Sequence, residues 1–480
     1  MPDTGEVGLE DTSDSESEGS KSDLEERFTE EEVETFERSS EAASLNFGFF
    51  LLALLYMWPY HTLLQTQTFL SAKFPDRAVN AGNTMMLATT WPFMVTHGLL
   101  TLTGLSRRLT YTCKLVVPGV LISIIALGLI LVMSYVSSAE FLLNSLYCAA
   151  LLCSIAEGMI EPAVYDMAGL YPSALTTKNV MFGNGATGVV VCIVKISVRL
   201  CTNGVKPLAV AELEQLTHVY FALMGLAGIG LPAVYLLLMR RSKSFKKYVK
   251  CEYTIPKTDL QSNGSDGEAS ATDPGGDCVR KESGLSAALQ ALKHVWPSMV
   301  ATTITYITSL ALWPVIPGSM CLSGPGDSNP TLRSWWFDIV LLIFNVGDLV
   351  GKSEHRSLSW GARNLSSNLL LACALCRAFL MFPLVLTASA PQSYSPTVAS
   401  WVALAGVLLL GVSNGWLSTV CFMRAPKALP AGTSNSVAEQ ASTLMVMGLF
   451  AGISLGSLAA YELGEGPLQR YIGACHAGGG

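Results

Sequence analysis

Eleven stretches of about 20 mainly apolar residues run through this chain, and a helix of that length crosses the hydrocarbon core of a bilayer. They fall at 47–70, 82–104, 115–135, 140–162, 180–201, 218–239, 294–316, 335–352, 367–389, 397–421 and 438–461. Hydrocarbon offers no partner to a backbone N–H or C=O, so lipid-facing runs of this kind predict helices. With 50% hydrophobic and 14% charged residues and a mean hydropathy of +0.41, the chain is too apolar for an ordinary soluble protein. The expected fold class is all-α: a polytopic membrane protein of about 11 transmembrane helices.

Composition divides the chain further. Residues 1–45 form an acidic tail that carries much of the net charge of -7 and reads as disordered and cytosolic, since no basic n-region or cleavage site precedes the first apolar run. Residues 46–240 hold six spans. Residues 241–293 pass from the basic RRSKSFKKYVK into QSNGSDGEASATDPGGD, a linker expected to be mostly disordered. Five spans follow in 294–465, and 466–480 form a short tail. Neither the acidic tail nor the linker is expected to contribute to a packed site. With the N-terminus inside, the inner connections hold fifteen Lys and Arg, including Arg107, Arg108, Arg240, Arg241, Lys352 and Arg424, against four outside: Lys73, Arg77, Lys206 and Arg333. That asymmetry predicts a cytosolic N-terminus and an extracellular C-terminus.

Polar residues within apolar runs are costly and therefore informative. The run Trp335–Ser353 carries Asn345, Asp348 and Lys352; on a helix the last two are i, i+4 and share a face with Asn345. The fourth span places Glu157 and Glu161 one turn apart, with Asp166 after Pro162. These acids read either as a cation or proton site or as structural partners of Lys195 and Arg199 in the fifth span. The fifth span opens with GNGATG, in which small residues admit a neighbouring helix and Asn184 presents an amide. The first span has Trp58, Pro59, Tyr60, His61, Gln65 and Gln67 near its middle, where Pro59 breaks the helix ladder and the rings offer stacking faces. The 12 Cys, among them Cys148, Cys153, Cys192, Cys373, Cys376 and Cys421, read as small core residues that imply neither a zinc site nor a disulfide framework. No nucleophile and base set or nucleotide-hydrolysing motif can be assembled, so an enzyme is not expected.

These motifs, in order, resemble the equilibrative nucleoside transporters. The most specific match is Trp335/Trp336 followed by FNVGDLVGK, against the family pattern W…FNxxDxxGR. AGLYPSALTTKNVMFGNGATG resembles the family junction between spans four and five. WPYHTLLQTQTFL, the Asn83…Pro92 and Arg377…Pro383 patterns, the run Ala425-Pro426-Lys427 and Ala438-Glu439 support it. The chain departs from the family at Asn184 and Glu161, each in place of a Gln, at Lys352 in place of Arg and at His61 in place of Asn.

The resemblance implies a six-plus-five arrangement like the major facilitator architecture and facilitative transport of nucleosides or nucleobases by alternating access at the plasma membrane. No cofactor or metal is implied. The expected partners are a small-molecule substrate and the lipid bilayer, with protons as a candidate co-substrate and no nucleic acid. Trp58, Tyr60, Gln65, Trp91, Glu161, Asn184, Asn345, Asp348 and Lys352 are the expected substrate-binding residues. The rival readings are an organic-cation or proton-coupled carrier of the same family, and a membrane receptor or scaffold without flux.

Overall fold

The computed structural model describes residues 30–464 except 75–77, 104, 207, 250–283, 314–329, 390–394, 431–432 and 434. Eleven helical passes occupy the expected stretches. They are α1 (Ser40–Leu70), α2 (Ala78–Leu102), α3 (Tyr111–Tyr135), α4 (Ala139–Gly169), α5 (Ala174–Asn203), α6 (Val210–Val234), α7 (Gly284–Leu312), α8 (Pro330–Ser353), α9 (Ser367–Arg377 continued by Met381–Ser389), α10 (Pro396–Lys427) and α11 (Asn435–Gly464). Among the described residues nine of these are long and apolar enough to cross a membrane by length and composition alone. The other two are α2, diluted by Asn, Thr and His, and α9, whose α-helix is interrupted by a 3-10 turn at Ala378–Leu380.

Local sequence explains where the helices begin. Ser39, Thr110, Ser138, Ser366 and Ser395 each turn a side-chain oxygen to the backbone N–H three residues on, satisfying donors that a new helix leaves without partners. Inside α1 the rod is broken twice, at Met57 and Thr66, so it is three segments rather than one. The first break precedes Pro59, which has no N–H to give.

Packing sorts the passes into two bundles. In the first, α1 packs on α5, α2 on α4, and α3 on both α4 and α6; in the second, α7 packs on α9, α10 and α11, and α8 on α10. The bundles meet where α5 lies along α8 and where α2 and α4 lie along α11. This is the six-plus-five arrangement.

The tightest crossing is that of α8 with α10. Gly347 and Gly351 face Gly411 and Gly415, so small residues four apart on each helix let the two backbones touch. A Cβ at Gly347 would come within 2.8 Å of the Leu408 carbonyl oxygen, and one at Gly351 within 2.7 Å of the Trp416 nitrogen.

Three sequence expectations need correction. The chain is helical from Glu30, not from residue 46: Glu30–Arg38 is a short helix whose Phe36 is buried against Tyr171 and Tyr248, so this part of the acidic tail is packed. α7 begins at Gly284, ten residues ahead of the expected 294, and the start of the linker holds a helix at Lys243–Tyr248; residues 1–29, most of the linker and the C-terminal tail lie outside the described residues. Cys153, Cys192 and Cys421 are core residues, but Cys148 and Cys376 are exposed, and Cys373 with Cys376 makes an unbonded Cys-x-x-Cys pair in α9.

Gly415→Ala is expected to lower the thermal midpoint of purified protein by several degrees, because the new methyl group meets backbone that cannot yield. Gly98→Ala, with nothing within 4 Å of the added carbon, is expected to leave it unchanged.

Candidate functional site

α8 faces the other bundle with the polar stripe read from its sequence. Asn345, Asp348 and Lys352 are 5%, 6% and 3% exposed. Lys352 Nζ lies 2.6 Å from Asp348 Oδ2, and the other carboxylate oxygen accepts Asn414 Nδ2 from α10 at 2.8 Å. The Asn414 side-chain Oδ1 accepts the Ser309 hydroxyl of α7 at 2.7 Å, and Ser309 Oγ accepts Arg377 Nη2 of α9 at 2.7 Å. Arg377 also donates to the Thr305 and Leu410 carbonyls and to Ser413 Oγ. One continuous hydrogen-bonded line thus joins all four of these helices and ends at Asp348.

Across the interface, α5 brings its glycines to this line. A Cβ on Gly185 would lie 2.9 Å from Lys352 Cδ and 3.2 Å from Asp348 Oδ2, and one on Gly188 would meet Asn345 and the His61 ring, so the small residues let the bundles close on the polar stripe. Next to Gly185, Asn184 Nδ2 donates to Tyr165 Oη at 3.1 Å and to Glu161 Oε1 at 3.4 Å. Gln65 and Asn345 both direct amide N–H groups at Cys192 Sγ, at 3.5 and 3.4 Å, which brings α1, α5 and α8 together at one point.

The break in α1 explains one membrane acid. Where the second segment starts, the Tyr60 N–H has no helical partner, and Glu157 Oε1 accepts it at 3.0 Å. The ring of Tyr60 is buried beside His61 and Phe93. Trp58 and Trp91 are half-buried, and among the described residues no ring contact or hydrogen bond joins either to this cluster. Of the nine residues expected in the site, the structure therefore gathers seven.

The partners proposed for Lys195 and Arg199 are wrong. Asn184 is level with Glu161, and Lys195 lies eleven residues farther along α5, about 16 Å at 1.5 Å per residue. Out there the two cations grip Asp338 of α8 instead, at 2.7 and 2.9 Å, and Arg199 also donates to the Ser334 carbonyl and hydroxyl. The Arg199 guanidinium stacks 3.9 Å from the Trp335 ring. All three charged side chains are 3% exposed. Asp338 stood in plain view one residue before the apolar core of α8, yet sequence reasoning passed over it; Asn414, a lone amide in the apolar run of α10, was missed in the same way.

A second polar contact holds the bundles at the opposite end of the membrane, where α4 ends and α11 begins. Thr443 Oγ1 donates to Asp166 Oδ1 at 3.0 Å, the Thr443 carbonyl meets His97 Nε2 at 3.1 Å, and Tyr111 Oη donates to Glu439 Oε1 at 3.4 Å. The same end carries a cavity of about 710 Å³ between the bundles, lined by Glu34 and Glu37 of the tail helix, the α4–α5 turn, and Arg363, Arg424 and Lys427.

A family model described as nucleoside transporter matches residues 147–464. Equilibrative nucleoside transporter 3 of Rattus norvegicus is 26% identical over 330 residues, 65% of this chain and 63% of that protein, so the match spans just under two thirds of that relative. Equilibrative nucleotide transporter 8 of Arabidopsis thaliana is 20% identical over 442 residues, 91% of this chain and 99% of that protein. Among solved structures, a double Trp mutant of XylE superposes with a TM-score of 0.56 at 12% identity, covering 91% of each chain. XylE from E. coli in a partially occluded inward-open conformation gives 0.52 at 15%, covering 88% of this chain and 97% of that one. At these identities the likeness concerns the fold, which is that of the major facilitator transporters.

Asp338→Asn strands two buried cations and is expected to destabilise the protein by about 3–5 kcal/mol. Removing one of them as well, in Asp338→Asn with Lys195→Met, is expected to recover part of the loss. Thermal unfolding of the purified variants measures both.

Proposed function

The chain belongs to the nucleoside transporter family, and from that premise we propose that it carries nucleosides or nucleobases across a membrane by facilitative alternating access. The observation that carries this reading is the Asp348–Lys352 pair, buried between the bundles and faced by Gly185 of the opposite one. Asn414 and Lys352 take one position on each carboxylate oxygen of Asp348, and each oxygen has a second that accepts a ribose hydroxyl or a base N–H. Asn184 and Gln65 supply amide groups from the other bundle, and Tyr60 a flat aromatic face. No covalent step is involved.

The excess of Lys and Arg at the end bearing Arg240, Arg241 and Lys243 supports a cytosolic position for that end, with the N-terminus and the cavity, and an outer C-terminus. The plasma membrane is the proposed location. Rocking one bundle against the other parts the Asp338 contact while the Asp166–Thr443 contact holds, then the reverse.

Asp348→Asn leaves the buried Lys352 without its carboxylate, so it is expected to lower stability as Asp338→Asn does. In the protein that remains folded it is expected to weaken substrate binding roughly ten- to a hundred-fold, the equivalent of about 1.5–3 kcal/mol for a hydrogen bond to a charged group. Lys352→Arg restores the residue usual in the family and is expected to be tolerated, whereas Lys352→Ala leaves Asp348 without its cation and is expected to resemble Asp348→Asn. Binding of adenosine and uridine to purified variants decides it: unchanged affinity in a well-folded Asp348→Asn protein removes Asp348 from recognition.

One observation favours a second reading, transport of organic cations. Glu157 and Glu161 are each 2% exposed, and among the described residues neither makes an ion pair. Glu157 is engaged by the Tyr60 N–H, which leaves Glu161, held by the Asn184 amide, as the counter-charge. Under that reading Glu161→Gln abolishes uptake of a cationic amine; under the nucleoside reading neither the wild type nor the variant takes up the amine, and Glu161→Gln, which restores the residue usual in the family, keeps uridine uptake. Radiolabelled uptake of the two in one transporter-null cell tells them apart.

A further inference from the structure

At the basic end of the molecule the Glu41 carboxylate ties α1 to the start of the linker. Glu41, in the first turn of α1, accepts the Lys243 N–H at 2.5 Å, the Ser244 N–H at 3.2 Å and the Ser244 hydroxyl at 2.7 Å. The tie governs the helix Glu30–Arg38 just upstream. Phe36 of that helix is buried with ring contacts to Tyr171 at 5.7 Å and to Tyr248 of the linker helix at 6.1 Å, and Glu37 accepts the Ser173 hydroxyl. Glu34 and Glu37 in turn line the cavity between the bundles. Detaching Lys243–Tyr248 from Glu41 therefore weakens one of the contacts that hold this wall of the cavity, Phe36 on Tyr248, while Tyr171 and Ser173 keep theirs and Phe245 stays packed on Tyr235.

The residues around Ser244 state what would detach it. The sequence Arg240-Arg241-Ser242-Lys243-Ser244-Phe245-Lys246-Lys247 surrounds a half-exposed serine with five exposed cations, and Phe245 follows directly. Basic side chains on both sides of a serine are what a basophilic protein kinase, whose substrate groove is acidic, selects. We propose that Ser244 is a phosphorylation site whose phosphate displaces Glu41 and loosens the Glu30–Arg38 helix at the cavity mouth. Ser244 Oγ attacks the γ-phosphorus of ATP, its proton passes to the kinase's base, the bond to the β-phosphate oxygen breaks and ADP leaves. The product carries a charge of about -1.5 to -2 where Glu41 now lies. Three consequences act together: the hydroxyl donor is lost, two anions are forced together, and the phosphate itself takes the Lys243 and Ser244 N–H groups that held Glu41. The linker helix keeps its cap, and α1 loses its hold on it.

The site is reachable because the basic end is cytosolic, so the inference rests on the orientation proposed above; its test does not depend on transport. Purified full-length protein in lipid nanodiscs is treated with a basophilic kinase and ATP, the phosphate is located by mass spectrometry, and tryptic cleavage after Arg38 is timed. Phosphorylation at Ser244 is expected to speed that cleavage at least five-fold, as is Glu41→Ala without kinase. Ser244→Ala, which keeps both backbone bonds, is expected to cleave at the wild-type rate and to lose the response to kinase, while Ser242→Ala keeps it. In cells Ser244→Glu is expected to raise initial uridine uptake two- to five-fold. Phosphate found at Ser242 or elsewhere with Ser244 unmodified overturns the proposal, as does phosphate at Ser244 with unchanged cleavage. Faster cleavage without any flux of uridine upholds the switch and overturns the transport reading.

Discussion

Asp348 occupies the point where α8 and α10 touch backbone to backbone, and both facts have one cause. Removing side chains at Gly347, Gly351, Gly411 and Gly415 lets the helices close, and closure brings Asn414 within 2.8 Å of the carboxylate. Within the membrane an acid held at such a crossing needs all of its partners supplied by protein. Lys352 supplies charge from the same helix, while Asn414, Ser309 and Arg377 supply a line of donors that fixes α7, α9 and α10 around α8. Arg377 is the counterpart of Asp348 at the far end of that line. Its charge is distributed over two carbonyls and two hydroxyls rather than matched by an adjacent carboxylate.

Each bundle has a polar interior of its own, the Asp348–Asn414–Ser309–Arg377 line in the second and the Glu157–Tyr60 bond in the first. Between the bundles the charged and polar contacts include two sets at opposite ends. One centres on Asp338 and the other on Asp166 and Glu439. An apolar interface in lipid gains little from closing, because lipid tails are as apolar as leucine. Hydrogen-bonded pairs gain more, because a buried donor or acceptor left without a partner is costly.

Much of this was legible in the chain. Helix positions follow from runs of apolar residues, and the Asp348–Lys352 pair follows from a spacing of four, both of which are local properties. The partners of Lys195 and Arg199 were not legible, because pairing across helices depends on the level at which each residue sits, and span boundaries read from hydropathy blur that level by a turn or more. Asp338 lies three residues into the stretch 335–352, where a polar residue near a span end reads as an interfacial one. The tail helix was hidden by composition: its acids mark the face turned to water, whereas Phe36, a single aromatic residue, decides that it docks. Trp58 and Trp91 show the converse, since an aromatic ring in mid-membrane is as much at home half-facing lipid as facing a pathway.

The interruption of α1 at Met57 has a mechanical consequence. An unbroken helix resists bending through its own ladder of hydrogen bonds, and bending it costs the bonds on the convex side. Here the bond that would have stiffened the joint is made instead by Glu157, a side chain rooted in α4. Backbone bonds persist on either side of it, from the Met57 N–H to Ala53 and from the His61 N–H to Met57, and the missing one between them is supplied by α4. The bend in the first membrane helix is therefore tied to the position of a different helix through one glutamate.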